Sequence, residues 1–261
     1  MKLKLALVQA DLMWENPEGN MAHLSELIST QNFQPHIIVL PEMFSTGFTM
    51  LPANISPVFY EKTIAWMQEL SIRYGSAVCG SIIAPAAGGK FTNRFIWVNN
   101  KEIQSYDKRH LFTMAGEHQY YQAGSHNIRL NCQGWVIQPQ ICYDARFPVW
   151  SRNTRNDPYD ILLYVANWPK PRIHAWKSLL LARGIENQCY VVGVNRVGID
   201  GQNIAYNGQS QVSDPYGQIL VESGGGLEEV IEISLEKESL IDFRNKFPVL
   251  NDMDNFTLKV D

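Results

Sequence analysis

The chain is sparing with charge. Only 18% of its 261 residues are charged, 22 Lys and Arg against 26 Asp and Glu, and the net charge of −4 is spread without a run of one sign. A phosphate backbone or an anionic membrane surface is held by a basic tract, so nucleic acid and membrane are excluded as expected partners. No apolar stretch approaches the roughly 18 residues of a membrane-spanning helix. The opening Met1–Val8 run resembles a short secretion signal, but Gln9, Asp11 and Glu15 interrupt it and no small-residue cleavage site follows, so it reads as a buried first strand. Four cysteines (Cys79, Cys132, Cys142, Cys189) lack a CxxC pair, and six histidines lack an HxxxH pair. These gaps argue against a metal site, and scattered thiols in a chain of this size point to a reducing cytoplasm rather than a disulfide framework. Linkers rich in Pro, Gly or Ser and low-complexity blocks are also missing, so residues 1–261 read as one domain.

What is present is a hydrophobic fraction of 45%, enough for a substantial core, and a mostly alternating order of strands and helices. Strands are expected at Lys4–Ala10 and at His36–Leu40, the latter stopped by Pro41. Between them Asn20 is the expected N-cap of a helix carrying Met21, Leu24 and Ile28. Ser56-Pro57 starts a second helix, with Thr63, Trp66, Met67, Leu70 and Tyr74 at helical spacing. Ser76–Ile83, Thr92–Asn99 and Ile103–Asp107 read as an antiparallel meander. Trp135–Ile141, Asp160–Ala166, Cys189–Val194 and Gln209–Ser213 are further strands, with a helix over Pro171–Gln188 and a hairpin at Asp214–Gly217. The last thirty or so residues read as a looser strand and tail.

Four apolar runs end in polar or reactive residues: Leu40 leads to Glu42, Ile141 to Cys142-Tyr143-Asp144, Ala166 to Asn167-Trp168, and Val194 to Asn195-Arg196. In α/β sheets ligands gather beyond the carboxyl ends of strands, so these residues are expected to converge at one rim. A cysteine there needs a base or a nearby cation, because a free thiol with a pKa of roughly 8.5 is mostly protonated at neutral pH. Glu42, at the mouth of an apolar strand, is a candidate proton acceptor, and Lys108 is a candidate fixed positive charge. Taken singly, each residue fits a bland role better: a buried small hydrophobe, a loop glutamate, a surface lysine. Asp144 and Arg146 are expected to pair with each other or with backbone and to fix the turn bearing Cys142.

Jointly, LPEMFSTGF around Glu42, YDKRHLF around Lys108 and ICYDARFP around Cys142 resemble the nitrilase superfamily of carbon–nitrogen hydrolases. They stand in that family's order, 66 and 34 residues apart, and the similarity runs from KLALVQADL to the DPYG turn. The resemblance implies a four-layer α-β-β-α sandwich, dimerised so that sheets stack across subunits, and a small-molecule amide as substrate. It implies that Cys142 attacks the amide carbonyl, that Glu42 relays the thiol proton to departing ammonia, and that Lys108 with the backbone N–H of Tyr143 holds the oxyanion. Glu117, in AGEHQYY, matches the superfamily's second glutamate, and no metal or organic cofactor is required.

NWPKPRIHAW, RGIENQCYVVGVNRVG and YNGQSQVSDPYG look like the bacterial ω-amidase branch, which implies 2-oxoglutaramate and related monoamides of dicarboxylic acids as substrates. A substrate carboxylate needs an arginine or an N–H nest, for which Arg172 is the candidate. Phe44, Phe48 and Trp168 are candidates for the pocket wall. The alternatives are a nitrilase or N-carbamoyl amidohydrolase of the same superfamily, a non-catalytic binding protein of this fold, and a redox-sensing thiol at Cys142.

Overall fold

Alternation along the strands sets the layering. In the computed structural model, which describes residues 1–259, Leu3, Leu5 and Leu7 of β1 (Lys2–Gln9) and Ile37 and Val39 of β2 (Ile37–Val39) point to one side. Ala6, Val8 and Ile38 point to the other. Successive strand residues face opposite ways, so a strand apolar at every position is covered on both faces. β3 (Ala77–Pro85), β4 (Phe91–Asn99) and β5 (Glu102–Asp107) continue this sheet as the expected antiparallel meander.

The second sheet holds β6 (Leu130–Cys132), β7 (Trp135–Ile141), β8 (Ile161–Ala166) and β9 (Tyr190–Asn195), of which β7, β8 and β9 run parallel. A separate hairpin, β10 (Val197–Ile199) and β11 (Ala205–Asn207), follows. β12 (Gln211–Ser213) and β13 (Ile219–Glu222) then close the second sheet in the order β13-β12-β9-β8-β7-β6. β14 (Glu229–Glu236) returns to the first sheet, giving β14-β1-β2-β3-β4-β5.

The two sheets meet face to face through Leu5, Val39, Phe95 and Trp97 on one side and Ile137, Leu163 and Val192 on the other. Helices cover the outer faces. Leu24 and Ile28 of α1 (Pro17–Ser29) and Ile64, Met67 and Leu70 of α2 (Val58–Tyr74) pack on the first sheet. Two one-turn helices, α3 (Glu117–Tyr120) and α4 (Pro148–Ser151), lie in the loops. Trp176 and Leu180 of α5 (Ile173–Asn187) pack on the second sheet. Gly193 of β9 allows this approach, because a Cβ there would stand 2.5 Å from Leu180. The result is the four-layer α-β-β-α sandwich.

Three expectations are corrected. The cap of α1 is Asn16, whose side chain accepts from Gly19 N at 3.0 Å ahead of Pro17. Asn20 is buried one turn later, tying the backbone of Met13 to that of Ser45. The last thirty residues include β14, paired with all eight residues of β1, and α6 (Lys237–Lys246). The many exposed glutamates around Ile231 and Leu235 hide that strand's inward alternation in the sequence. Finally, both stacked sheets belong to one chain and each outer face carries helices, so no bare sheet face is left to stack against a second copy. Among the described residues no helix is long and apolar enough to cross a membrane.

Candidate active site

The polar strand ends converge. Beyond β2 the chain runs through Pro41 to Glu42; β5 delivers Lys108, β7 delivers Cys142 and β8 delivers Asn167. Cys142 opens a tight 3-10 turn, Cys142–Arg146, with φ +43, a left-handed conformation that a side chain adopts only when its surroundings enforce it.

Glu42 is fully buried and each of its carboxylate oxygens is engaged. Oε1 accepts from Lys108 Nζ at 3.0 Å and from Asn93 Nδ2 at 2.7 Å, and Oε2 accepts from the Asn167 backbone N–H at 2.7 Å. The Cys142 thiol lies near enough to this carboxylate for the Glu42 charge to raise its pKa. Asn167 Nδ2 donates to the Glu42 carbonyl at 2.7 Å, so one residue fixes both the side chain and the backbone of Glu42. Lys108 Nζ lies 3.0 Å from each oxygen of Glu117, which is also fully buried, and Glu117 Oε2 accepts from the Phe112 N–H at 2.5 Å.

The electrostatics follow from burial and pairing. Burial alone lowers the affinity of Lys108 for its proton, but the charges of Glu117, Glu42 and Cys142 outweigh it and hold the ammonium above its ordinary pKa. Burial pushes the Glu117 carboxyl up; Lys108 opposes this, and the Glu42 charge adds to it. The Cys142 thiol is pushed well above its usual range, first by burial and then by the Glu42 charge, with Lys108 pulling the other way. At neutral pH the Cys142 side chain is therefore a thiol, with Glu42 beside it. Such an arrangement suits proton transfer concerted with attack rather than a standing thiolate.

The structure thus brings together Glu42, Lys108, Cys142 and Glu117. Tyr143 is the second residue of the nucleophile turn, where leading N–H groups have no acceptor within the turn. Phe48, Trp168 and Arg172 line the pocket that opens on Cys142. Phe44 does not. The turn after Glu42, with Met43 at φ +43 and Gly47 at φ +73, sends Phe44 back into the core between the first sheet and its helices, its ring 5.7 Å from that of Trp66.

Asp144 and Arg146 do not pair with each other. Asp144 is buried and accepts from the Ile141 N–H at 3.0 Å, so it does hold the turn by backbone. Arg146 lies on the pocket wall instead, its guanidinium 4.9 Å from the Trp168 ring centroid. Arginine ion pairs among the described residues belong to Arg94, Arg129, Arg183, Arg196 and Arg244, and Arg146 and Arg172 form none. Asp200, the carboxylate lining the same pocket, is consumed within its own hairpin. Its Oδ1 accepts from Gln202 N and Ile204 N at 2.8 and 3.0 Å, and its Oδ2 from Tyr206 OH at 2.9 Å. Asn93 and this hairpin were missed from sequence: Asn93 sits inside a strand with no motif around it, and the hairpin has ordinary turn chemistry. Among the described residues no group of three His, Cys, Asp or Glu side chains is placed to hold a metal ion.

Residues 4–245 match the model of the carbon-nitrogen hydrolase family. The chain is 43% identical to an ω-amidase of Yersinia enterocolitica, with 98% of each chain covered. It is 31% identical to the 2-oxoglutaramate amidase of Bacillus subtilis, over 97% of this chain and 98% of that one. Its structure superposes on that of a Xanthomonas campestris CN-hydrolase superfamily protein carrying an arsenic adduct in its active site, with a TM-score of 0.95, 38% identity and coverage of 99% and 100%.

The position of the thiol beside Glu42 makes a titration prediction. Alkylation of Cys142 by iodoacetamide, followed by mass spectrometry, is expected to rise with a midpoint above the roughly 8.5 of a free thiol. Since the Glu42 charge raises that midpoint, Glu42→Gln moves it down; a midpoint unchanged or higher in the variant would contradict the arrangement.

Proposed function

Because the chain belongs to the carbon–nitrogen hydrolase family, we propose that it hydrolyses the ω-amide of small dicarboxylic acid monoamides, 2-oxoglutaramate among them, through a Cys142 thioester. The observation that carries this is a pocket lined by Cys142 and Lys108, with the buried Glu42 carboxylate bonded to that lysine and, on its wall, two arginines without an ion pair among the described residues.

The steps balance as follows. Cys142 Sγ bonds to the amide carbon while its proton passes to Glu42. The oxyanion that forms is held by Lys108 Nζ and the Tyr143 N–H. Nζ has three hydrogens; one serves Glu42 and one is shared by the two Glu117 oxygens, which leaves one for the oxyanion. Glu42 then protonates the nitrogen, the C–N bond breaks and ammonia departs, leaving a thioester. Water attacks the thioester carbon and gives its proton to Glu42, the C–S bond breaks, and the sulfur recovers a proton as the carboxylate product leaves. Glu117 keeps Lys108 charged and aimed.

At the far end of the substrate Arg172, with Arg146 beside it, binds the carboxylate, and Phe48 and Trp168 form the apolar walls. Asp200 is occupied within its hairpin, so an α-ammonium group finds no free counter-charge. A 2-oxo or unsubstituted acid is therefore favoured over glutamine. The four free thiols suit a reducing cytoplasm.

We further infer a homodimer that joins helix faces. Ile185 of α5 packs against Gly217, and Tyr216 lies 4.1 Å, centroid to centroid, from Phe243 of α6, which is followed by Phe247. Ile185, Tyr216 and Phe247 are all more than half exposed, apolar side chains that a second copy would cover.

Ammonia release from 2-oxoglutaramate, a nitrile and an N-carbamoyl amino acid is expected to be substantial with the first alone. Cys142→Ala abolishes it and Glu42→Gln lowers kcat by about 10³-fold or more with the fold retained; near-normal turnover in either variant overturns the mechanism. Arg172→Met raises KM for 2-oxoglutaramate by about 10- to 100-fold, the worth of a charge-assisted contact, with kcat changed far less. Sedimentation at micromolar concentration shows a dimer that Tyr216→Glu shifts toward monomer; a monomeric native protein would refute that interface.

A further inference from the structure

The nucleophile turn is held from the lysine side as well as from within. Asp144 is fully buried, and its carboxylate accepts four hydrogen bonds. Oδ1 takes the backbone N–H of His110 at 2.9 Å and His110 Nδ1 at 2.8 Å; Oδ2 takes Tyr106 OH at 2.7 Å and Ile141 N–H at 3.0 Å. Ile141 immediately precedes Cys142, while Tyr106 and His110 flank Lys108 by two residues on either side. Tyr106 OH in turn accepts from the Arg109 N–H at 3.2 Å and from Trp150 Nε1 at 2.9 Å. The His110 ring lies flat on Phe147, the residue that ends the nucleophile turn, with centroids 3.7 Å apart and planes within 6°.

Cys142 and Lys108 belong to different sheets, and no strand pairing sets the distance between them. We propose that Asp144 is the positioning residue that fixes the nucleophile turn against the lysine loop, so that the thiol, Glu42 and Lys108 stay in reacting register. Asp144 touches neither Sγ nor Nζ and acts through the backbone on both sides. A carboxylate is required because four groups on three residues, Tyr106, His110 and Ile141, offer it hydrogens; an amide of the same shape turns its own N–H₂ toward two of them. The left-handed Cys142 adds a second requirement, since a strained residue persists only where its surroundings over-determine it.

The latch matters to turnover only if Cys142 and Lys108 react as proposed above, and loss of activity in Cys142→Ala tests that separately. Asp144→Asn is expected to lower kcat for 2-oxoglutaramate by about 10²-fold, the scale of a misplacement near 1 Å, with KM within a few-fold of native. Tyr106→Phe removes one of the four bonds to Asp144, together with those the hydroxyl accepts from Arg109 N–H and Trp150 Nε1. It changes no residue of the turn itself and lowers kcat by about 10-fold, which keeps the test open if the Asp144 variant folds poorly. In the double variant the two losses are not additive, because both break the same latch. Iodoacetamide labelling of Cys142 reports the thiol's setting without substrate and changes in rate alongside kcat. Circular dichroism and titration of active sites correct each rate for folded protein. Unchanged kcat per folded molecule in both variants, or losses that add fully, would overturn the proposal, as would a fall confined to KM.

Discussion

Everything at the rim of the sheets depends on one buried ammonium. Lys108 has no exposure, and neither do the two carboxylates it joins, Glu42 and Glu117, each 3.0 Å away. Removing an ion from water costs several kcal/mol even after relaxation, and only close pairing with every lone pair satisfied offsets it. Here Glu42 is held by Asn93 and the Asn167 N–H besides Lys108, and Glu117 by Asn93 and the Phe112 N–H besides Lys108, so each carboxyl is bonded at both oxygens. Such a cluster cannot relax far without leaving a charge unpaired. It is therefore a rigid reference against which the thiol and the substrate are placed, and removal of any one member is felt by the other two.

The fold makes that cluster possible by bringing two sheets together back to back. Glu42 and Lys108 come from the first sheet, Cys142 and Asn167 from the second, and the apolar layer between the sheets holds them in one place. Because the members come from separate sheets, the seam needs its own fastenings. Asn167 ties the second sheet to Glu42 by backbone and side chain, and Asn195 continues the tie by accepting from the Trp168 N–H at 2.7 Å. The small polar residues at strand ends are thus joinery as much as chemistry.

Much of this was legible in the sequence because burial and function left different marks. Strands covered on both faces read as unbroken apolar runs, and the abrupt change to Glu42, Cys142, Asn167 and Asn195 marked where they end. β7 was placed at its observed bounds, since Trp135 and Cys142 frame it clearly. β14 reads as only a loose strand because Glu232, Ser234 and Glu236 alternate with its inward apolar residues and resemble a solvated segment, and α6 after it is mostly polar. Phe44 was misassigned because two phenylalanines four residues apart look equivalent, and only the left-handed Met43 separates a core ring from a pocket ring. Asn93 left no trace at all: its role exists only through a contact 51 residues away in sequence. Of the two readings for Asp144 and Arg146, pairing with each other or with backbone, the second holds for Asp144, because four donors fill its carboxylate and leave no place for Arg146.

The distribution of charge also orients what enters. At the base lie Glu42 and Glu117 with Lys108 between them, two acidic side chains to one ammonium, all without exposure. On the wall, partly exposed, lie two guanidiniums that no carboxylate neutralises. An anionic group is attracted by the guanidiniums of the wall and meets the acidic side chains Glu42 and Glu117 at the base. On the proposed mechanism, a molecule with a carboxylate at one end and a neutral amide at the other is turned amide-first toward Cys142 by this arrangement. The reverse pose would press a carboxylate against Glu42 and leave both arginines unpaired, two penalties at once. Selection of the ω-amide end thus needs no pocket shaped to the last atom, and the same field helps a dicarboxylate product, charged at both ends, to leave.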